Sequence, residues 1–160
     1  MGMRKEIAKR LHELMSGNDD IILVTADLGF GLWDKIREDF PDRFLNCGAS
    51  EQAGSDLCVG LSLVGKTPVF YSITPFLLYR CFETWRTYVN HESIKVILLG
   101  SGRDDDYSHD GFSHDAGDDY TFMHHFQNIQ SVWPQNNETA TRTLTEAVES
   151  ERPYYINLKK

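Results

Sequence analysis

Ile21-Ile22-Leu23-Val24-Thr25-Ala26-Asp27-Leu28-Gly29 is an unbroken apolar and β-branched run that a carboxylate and a glycine then interrupt. A run without polar alternation reads as a strand buried on both faces, the pattern of parallel sheets. Asp27 therefore stands at the carboxyl end of a strand, the edge at which open α/β sheets bind ligands. Upstream, Ile7, Leu11, Leu14 and Met15 follow helical spacing in an opening helix that Gly17 ends. Downstream the alternation continues with a short helix from about Leu32 to Ile36, a strand at Phe44, a helix after Glu51, a strand from Pro68 to Ser72 and a helix from about Leu77 to Val89. A strand Ile94 to Leu99, a helix Tyr120 to Phe126, a strand Ile129 to Val132, a helix Glu138 to Ser150 and a strand Tyr154 to Leu158 complete it. Six strands alternating with helices predict one three-layer α/β/α domain over residues 1–160, with a mainly parallel sheet covered on both sides.

Composition narrows the function. With 160 residues the chain holds one substantial core, and a hydrophobic fraction of 41% with 12% aromatic residues is ordinary for a globular protein. The formal net charge is -8 with no Lys/Arg-rich run, which argues against nucleic acid as a partner. The start, Met1-Gly2-Met3-Arg4-Lys5-Glu6, lacks the apolar core of a signal peptide, and no apolar run approaches the about 20 residues of a membrane span. The expectation is a cytoplasmic protein that is not in a membrane. Cys47, Cys58 and Cys81 are odd in number and have no C-x-x-C spacing, which favours reduced thiols over a disulfide frame or a zinc site.

A second stretch carries the chemistry. Asn46-Cys47-Gly48-Ala49-Ser50-Glu51-Gln52-Ala53-Gly54 sets one carboxylate, Glu51, between the strand at Phe44 and a helix with apolar residues at Ala53, Leu57, Leu61 and Val64. The local sequence offers little positive charge to neutralise it, and a partly desolvated Glu at a strand end is suited to proton transfer. On the residues alone, Glu51 is equally a helix-start carboxylate, stabilised by the helix dipole and by capping with Ser50. The one long unpatterned segment, Gly100 to about Gly117, holds Asp104-Asp105-Asp106, His109 and His114, and loops of that length inside compact domains are functional or disordered. The acidic triplet reads as a solvated loop, His124-His125 as surface, and the loose Asp/His mixture as a poor metal site.

Pro41-Asp42-Arg43-Phe44, Ala49-Ser50-Glu51-Gln52, Val59-Gly60-Leu61-Ser62-Leu63-Val64-Gly65 and Asp110-Gly111-Phe112-Ser113-His114 together resemble the pyrimidine-binding domain of thiamine-diphosphate enzymes of the transketolase class. The resemblance covers nearly the whole chain and implies the thiamine-diphosphate-binding fold. It implies that Glu51 hydrogen-bonds the pyrimidine ring nitrogen, so that the exocyclic amine can pass to its imino form and take the thiazolium proton. The cofactor supplies the electron sink, and protein groups orient it. Ala26-Asp27-Leu28 matches the family residue for residue and places Asp27 at the cofactor; read locally, Asp27 is a turn former. Aromatic residues of the family hold the pyrimidine ring where this chain has Thr74-Pro75-Phe76-Leu77-Leu78-Tyr79-Arg80. An ungapped match on Arg80-Cys81-Phe82-Glu83 puts Leu77 at the stacking position, with Phe76 beside it. Asp27, Glu51, Phe76, Leu77 and Arg80 are thus the implied cofactor-binding set, and Glu51 and His114 the catalytic pair. His114 and, on a weaker match, His109 would meet the substrate, an imidazole being suited to proton transfer near pH 7.

The family's diphosphate site needs Gly-Asp-Gly and a later Asn, which this sequence lacks, so the resemblance implies half of a split enzyme. A separate diphosphate-binding transketolase subunit would hold Mg2+ or Ca2+ and the diphosphate, with two copies of each chain and sugars or sugar phosphates as substrates. Asp where a phosphate site would want Arg or Lys hints at an unphosphorylated acceptor, with Arg80 and Arg103 as the remaining cations. The alternatives are a deoxyxylulose-phosphate synthase-like or 2-oxoacid dehydrogenase or decarboxylase subunit, and a catalytically silent regulatory partner.

Overall fold

The computed structural model describes residues 2–160. Six strands form one sheet in the order β2-β1-β3-β4-β6-β5, and every pairing is parallel. They are β1 (Ile21–Thr25), β2 (Phe44–Asn46), β3 (Thr67–Ile73), β4 (Ile97–Ser101), β5 (Gln130–Val132) and β6 (Tyr154–Leu158). The expected strand Ile94 to Leu99 begins later. Ile94 instead donates its backbone N–H to Tyr88 O, and pairing with β6 carries the strand on to Ser101.

Strand residues alternate between two cores, as unbroken apolar runs require. Ile21, Leu23, Val69, Tyr71, Ile97, Leu99, Ile156 and Leu158 face α1 (Met3–Gly17) and α7 (Asn137–Glu149), whose Ile7, Leu11, Met15, Ala140 and Leu144 are buried against them. Asn136 starts α7 by accepting the Thr139 N–H at 2.8 Å. Ile36 of α2 (Asp34–Asp39) joins the same layer. Ile22, Val24, Phe70, Leu98 and Tyr155 face the opposite layer, built from α3 (Glu51–Leu63), α4 (Thr74–Tyr79), the segment 82–91 and α6 (Asp119–Met123).

The helix expected over Leu77 to Val89 is broken. Pro75 lies in the first turn of α4, Arg80 caps its end with helical angles, Cys81 leaves the helical path, and the chain resumes as α5 (Phe82–Thr84) and a π-helical stretch, Trp85–His91. The break frees the Leu77 carbonyl, and the buried Trp85 indole donates to it at 2.7 Å. Apolar spacing alone does not register this, because Leu77, Leu78, Cys81, Trp85 and Val89 all still face the core.

The strand order places the topological switch between β1 and β3, so a crevice opens at their carboxyl ends. The segments following β1, β2, β3 and β4 all emerge at this edge. Close packing sets its spacing: a Cβ on Gly54 of α3 would lie 2.7 Å from the Cys47 sulfur and 2.9 Å from the Phe70 ring. Gly54→Ala is expected to cost about 1–3 kcal/mol by overpacking, read as a lowered urea midpoint; an unchanged midpoint would show slack where the structure has none.

Candidate active site at the carboxyl edge of the sheet

Two turns at this edge are tied together before any functional group is considered. The Asn46 side-chain oxygen accepts from the backbone N–H of Asp27 and of Gly48, both at 3.0 Å. Cys47 N–H donates to Thr25 O at 2.9 Å, and the Thr25 hydroxyl donates to Leu28 O at 2.7 Å. Asp27 takes a left-handed conformation (φ 48°) with an exposed side chain at the crevice. The turn from β2 then delivers Glu51 as the first residue of α3. Ser50 makes no side-chain cap, so the capping role that the local sequence suggested for it is absent.

Glu51 is only 4% exposed, and a buried carboxylate needs a partner. The partner is Arg80, whose Nη1 donates to both carboxylate oxygens at 2.9 and 2.8 Å. The expectation that Glu51 lacks nearby positive charge is thereby corrected: the cation lies 29 positions away in sequence and is supplied by the helix break. The Arg80 guanidinium also lies 3.6 Å from the centroid of the Phe76 ring. His114 meets the same ring edge-on, with centroids 4.8 Å apart, and its Nδ1 is 3.0 Å from the Ser113 hydroxyl. Glu51, Arg80, Phe76 and His114 thus form one contiguous group.

The other expected residues fall elsewhere. Leu77, the position of the family's stacking residue, is fully buried in the core with Trp85 and Phe70, whereas Phe76 is half-buried at the edge. The aromatic surface available to a ligand is therefore Phe76, because the first turn of α4 points Leu77 inward. His109 is exposed, paired with Asp110 at 3.4 Å and near the Tyr107 ring, outside the group around Phe76. Arg103 is 7% exposed and donates to Pro134 O and Asn157 O, so it is a strut of the fold and unavailable to substrate.

The segment after β4 is ordered by these bonds. Asp104 pairs with Ala116 in an isolated bridge, and Asp106 accepts from the backbone N–H of Arg103 and of Lys160, so the acidic triplet is partly structural. Thr74 donates to Gly102 O at 2.7 Å, tying α4 to the start of this segment. At its far end Asp119, 3% exposed, accepts from Trp133 Nε1 at 2.8 Å, from the Tyr155 hydroxyl at 2.6 Å and from the Asn157 amide. Burial first, and then Asp119, push the Tyr155 hydroxyl up, which keeps it a donor. Nothing local in Gly117-Asp118-Asp119 signals this buried anchor.

A cavity of about 520 Å³ opens beside the turn after β1, lined by Arg4, Lys5, Leu28, Gly29, Phe30 and Tyr71 among others. Arg4 donates to the Tyr107 hydroxyl at 2.8 Å. Sequence reasoning passed over Arg4 and Lys5, which read as the polar face of the opening helix. Among the described residues no group of three or more His, Cys, Asp or Glu is placed to hold a metal ion, and no helix is long and apolar enough to cross a membrane.

Fold and edge together define a ligand-binding domain of the doubly wound parallel α/β class. The chain belongs to the transketolase pyrimidine-binding domain family, whose model matches residues 1–160. It is 26% identical to a putative transketolase C-terminal section of Methanocaldococcus jannaschii, over 99% of this chain and 51% of that protein. Against one of the subunits of the apulose-4-phosphate transketolase of Actinobacillus succinogenes the identity is 31%, over 76% and 39%. Among solved structures, a split-gene transketolase in an inactive β4 tetramer superposes with a TM-score of 0.87 at 29% identity, over 99% of this chain and 51% of that one. Transketolase from Campylobacter jejuni gives a TM-score of 0.89 at 15% identity over 99% and 26%, a likeness of fold alone. The chain spans about half or less of the length of these relatives.

The three thiols, Cys47, Cys58 and Cys81, are free. Burial pushes Cys58 well up and Cys81 up to about 12, and it raises the partly exposed Cys47 as well. Thiolate is the reactive form, so raising the pH from 8 to 9 should speed alkylation of Cys47 and leave Cys58 and Cys81 unmodified in the native chain. Peptide mapping by mass spectrometry after iodoacetamide checks this; labelling of Cys81 as fast as Cys47 would contradict the packing.

Proposed function

We propose that this chain is the pyrimidine-binding part of a thiamine-diphosphate-dependent transketolase, transferring a two-carbon ketol unit between sugars or sugar phosphates. The observation that carries the reading is Glu51: a carboxylate 4% exposed at the start of α3, on the ligand edge, joined through Arg80 to an aromatic ring that meets a histidine. The carboxylate acceptor and the aromatic face fit a flat heterocycle with N–H groups on its edge, since a planar cation already satisfies the same carboxylate and the same ring.

Bound thiamine diphosphate would supply the carbon nucleophile and the electron sink for ketol transfer. Glu51 would hold a proton at the pyrimidine ring nitrogen, and its burial keeps water from competing for that bond. Phe76 would carry the ring face and Asp27 would border the cofactor. His114 would serve the oxygens of the substrate, with His109 further out on the same segment. Arg4 and Lys5 at the cavity beside β1 would meet an anionic substituent, which favours phosphorylated sugars over the unphosphorylated acceptor that the Asp-rich segment suggested.

Completion of the site would fall to a diphosphate-binding partner subunit, two copies of each chain, with Mg2+ or Ca2+ and the diphosphate held by that partner. The name of the split-gene relative supports this, because the β chain alone is described there as an inactive tetramer. A soluble cytoplasmic assembly agrees with the sequence. A deoxyxylulose-phosphate synthase-like reaction is the second reading, favoured by synthases such as that of Clostridium acetobutylicum, 26% identical over 98% of this chain and 25% of the synthase.

In the assembled enzyme Glu51→Gln is expected to lower ketol-transfer turnover about 10²–10⁴-fold, the range for a positioned acid–base group. Unchanged turnover would instead make this chain a silent regulatory partner. The chain by itself is expected to bind thiamine diphosphate weakly; tight binding by calorimetry without a partner would contradict the split site.

A further inference from the structure

The two groups that would receive an aminopyrimidine are both covered by one side chain of the protein itself. Arg80 occupies both oxygens of Glu51 through a single nitrogen, at 2.9 and 2.8 Å, and its guanidinium carbon lies 3.6 Å from the Phe76 ring centroid, van der Waals contact for a stacked group. A guanidinium is flat, bears N–H donors around its edge and stacks on aromatic faces. An aminopyrimidine protonated at its ring nitrogen shares those properties. Carboxylate for the edge and aromatic ring for the face are the contacts that each would take, and the two ligands cannot hold them at once.

We propose that Arg80 is a resident occupant of the pyrimidine site, which a planar, N–H-donating heterocycle of the aminopyrimidine class must displace in order to bind. The proposal rests on Glu51 and Phe76 being the pyrimidine-binding groups. Its mechanical basis lies in the broken helix. Arg80 follows the last residue of α4, and Cys81 (φ -110°, ψ 16°) is already outside the helical path, so Arg80 can swing out without unwinding a turn. The Arg80 side chain is 46% exposed while Glu51 is 4% exposed, so the cation has solvent to move into and the carboxylate does not. His114, edge-on to Phe76, stays beside the ring whichever group covers its face.

Occupancy by Arg80 also keeps Glu51 satisfied in the empty chain. A buried carboxylate without a partner is costly, and the arginine meets that need until a ligand does. Affinity for the heterocycle is then reduced by the fraction of time that Arg80 occupies the site, the ordinary penalty of a closed ground state.

The test uses the full chain and 4-amino-2,5-dimethylpyrimidine as probe, titrated by NMR into the wild type, Arg80→Ala and Arg80→Met. The variants are expected to bind the probe at least tenfold more tightly than the wild type, and guanidinium chloride, which refills the vacated place, should compete with it. Equal affinity in wild type and a natively folded variant would overturn the proposal. Arg80→Met keeps an apolar stem against Phe76 should Arg80→Ala fail to fold. The ligand-free wild type decides independently of both. Its Arg80 side-chain resonances should show hindered rotation and slow hydrogen exchange, and rotation as free as that of the exposed Arg142 would overturn the proposal. Failure here with loss of turnover in Glu51→Gln condemns the occupancy alone, whereas intact turnover in Glu51→Gln condemns the pyrimidine site itself.

Discussion

The pairing of Glu51 with Arg80 constrains everything around it. A carboxylate that solvent barely reaches has to be met by a donor, and Arg80 meets it at both oxygens. The donor comes from the segment after β3, where α4 ends at Tyr79 and Arg80 stands at its C-cap. That stop in turn leaves the Leu77 carbonyl open, and the Trp85 indole closes it from within the core. A charge at the ligand edge is thus linked, through one helix break, to a fully buried tryptophan.

The parallel sheet makes this arrangement possible. Every strand runs the same way, so the segments after β1, β2, β3 and β4 reach a common edge although they are far apart in sequence. Asn46 joins the first two of these segments, Thr74 joins the third to the fourth, and Phe76 touches His114 across the last gap. The buried Asp119 holds the end of the segment that carries His114, with two donors from β6 and one from the turn beyond β5. The site is therefore framed by rigid elements on each side.

Much of this fold was legible because burial on two faces leaves runs such as Ile21–Thr25 and Tyr154–Leu158 without polar alternation. The position of Glu51 between strand and helix was legible for the same reason. What escaped the sequence depended on contacts between distant segments. The resemblance placed Arg80 at the cofactor, but nothing local marks it as the partner of Glu51 until β3 and α3 are placed side by side, and nothing marks Asp119 until Trp133, Tyr155 and Asn157 converge on it. The choice between Phe76 and Leu77 was a matter of helix phase, fixed by where Pro75 starts α4. The segment 100–117 looked free because its order comes from backbone bonds and from Arg103, whose buried fan of donors has no sequence signature.

The proposed site has Glu51 and Phe76 together receiving a pyrimidine ring at this edge. Its most direct test is the set of nuclear Overhauser contacts from the pyrimidine methyl group of thiamine diphosphate in the assembled enzyme, with this chain selectively labelled. Contacts to the Phe76 ring and the Glu51 methylenes are expected. Contacts to neither would contradict it.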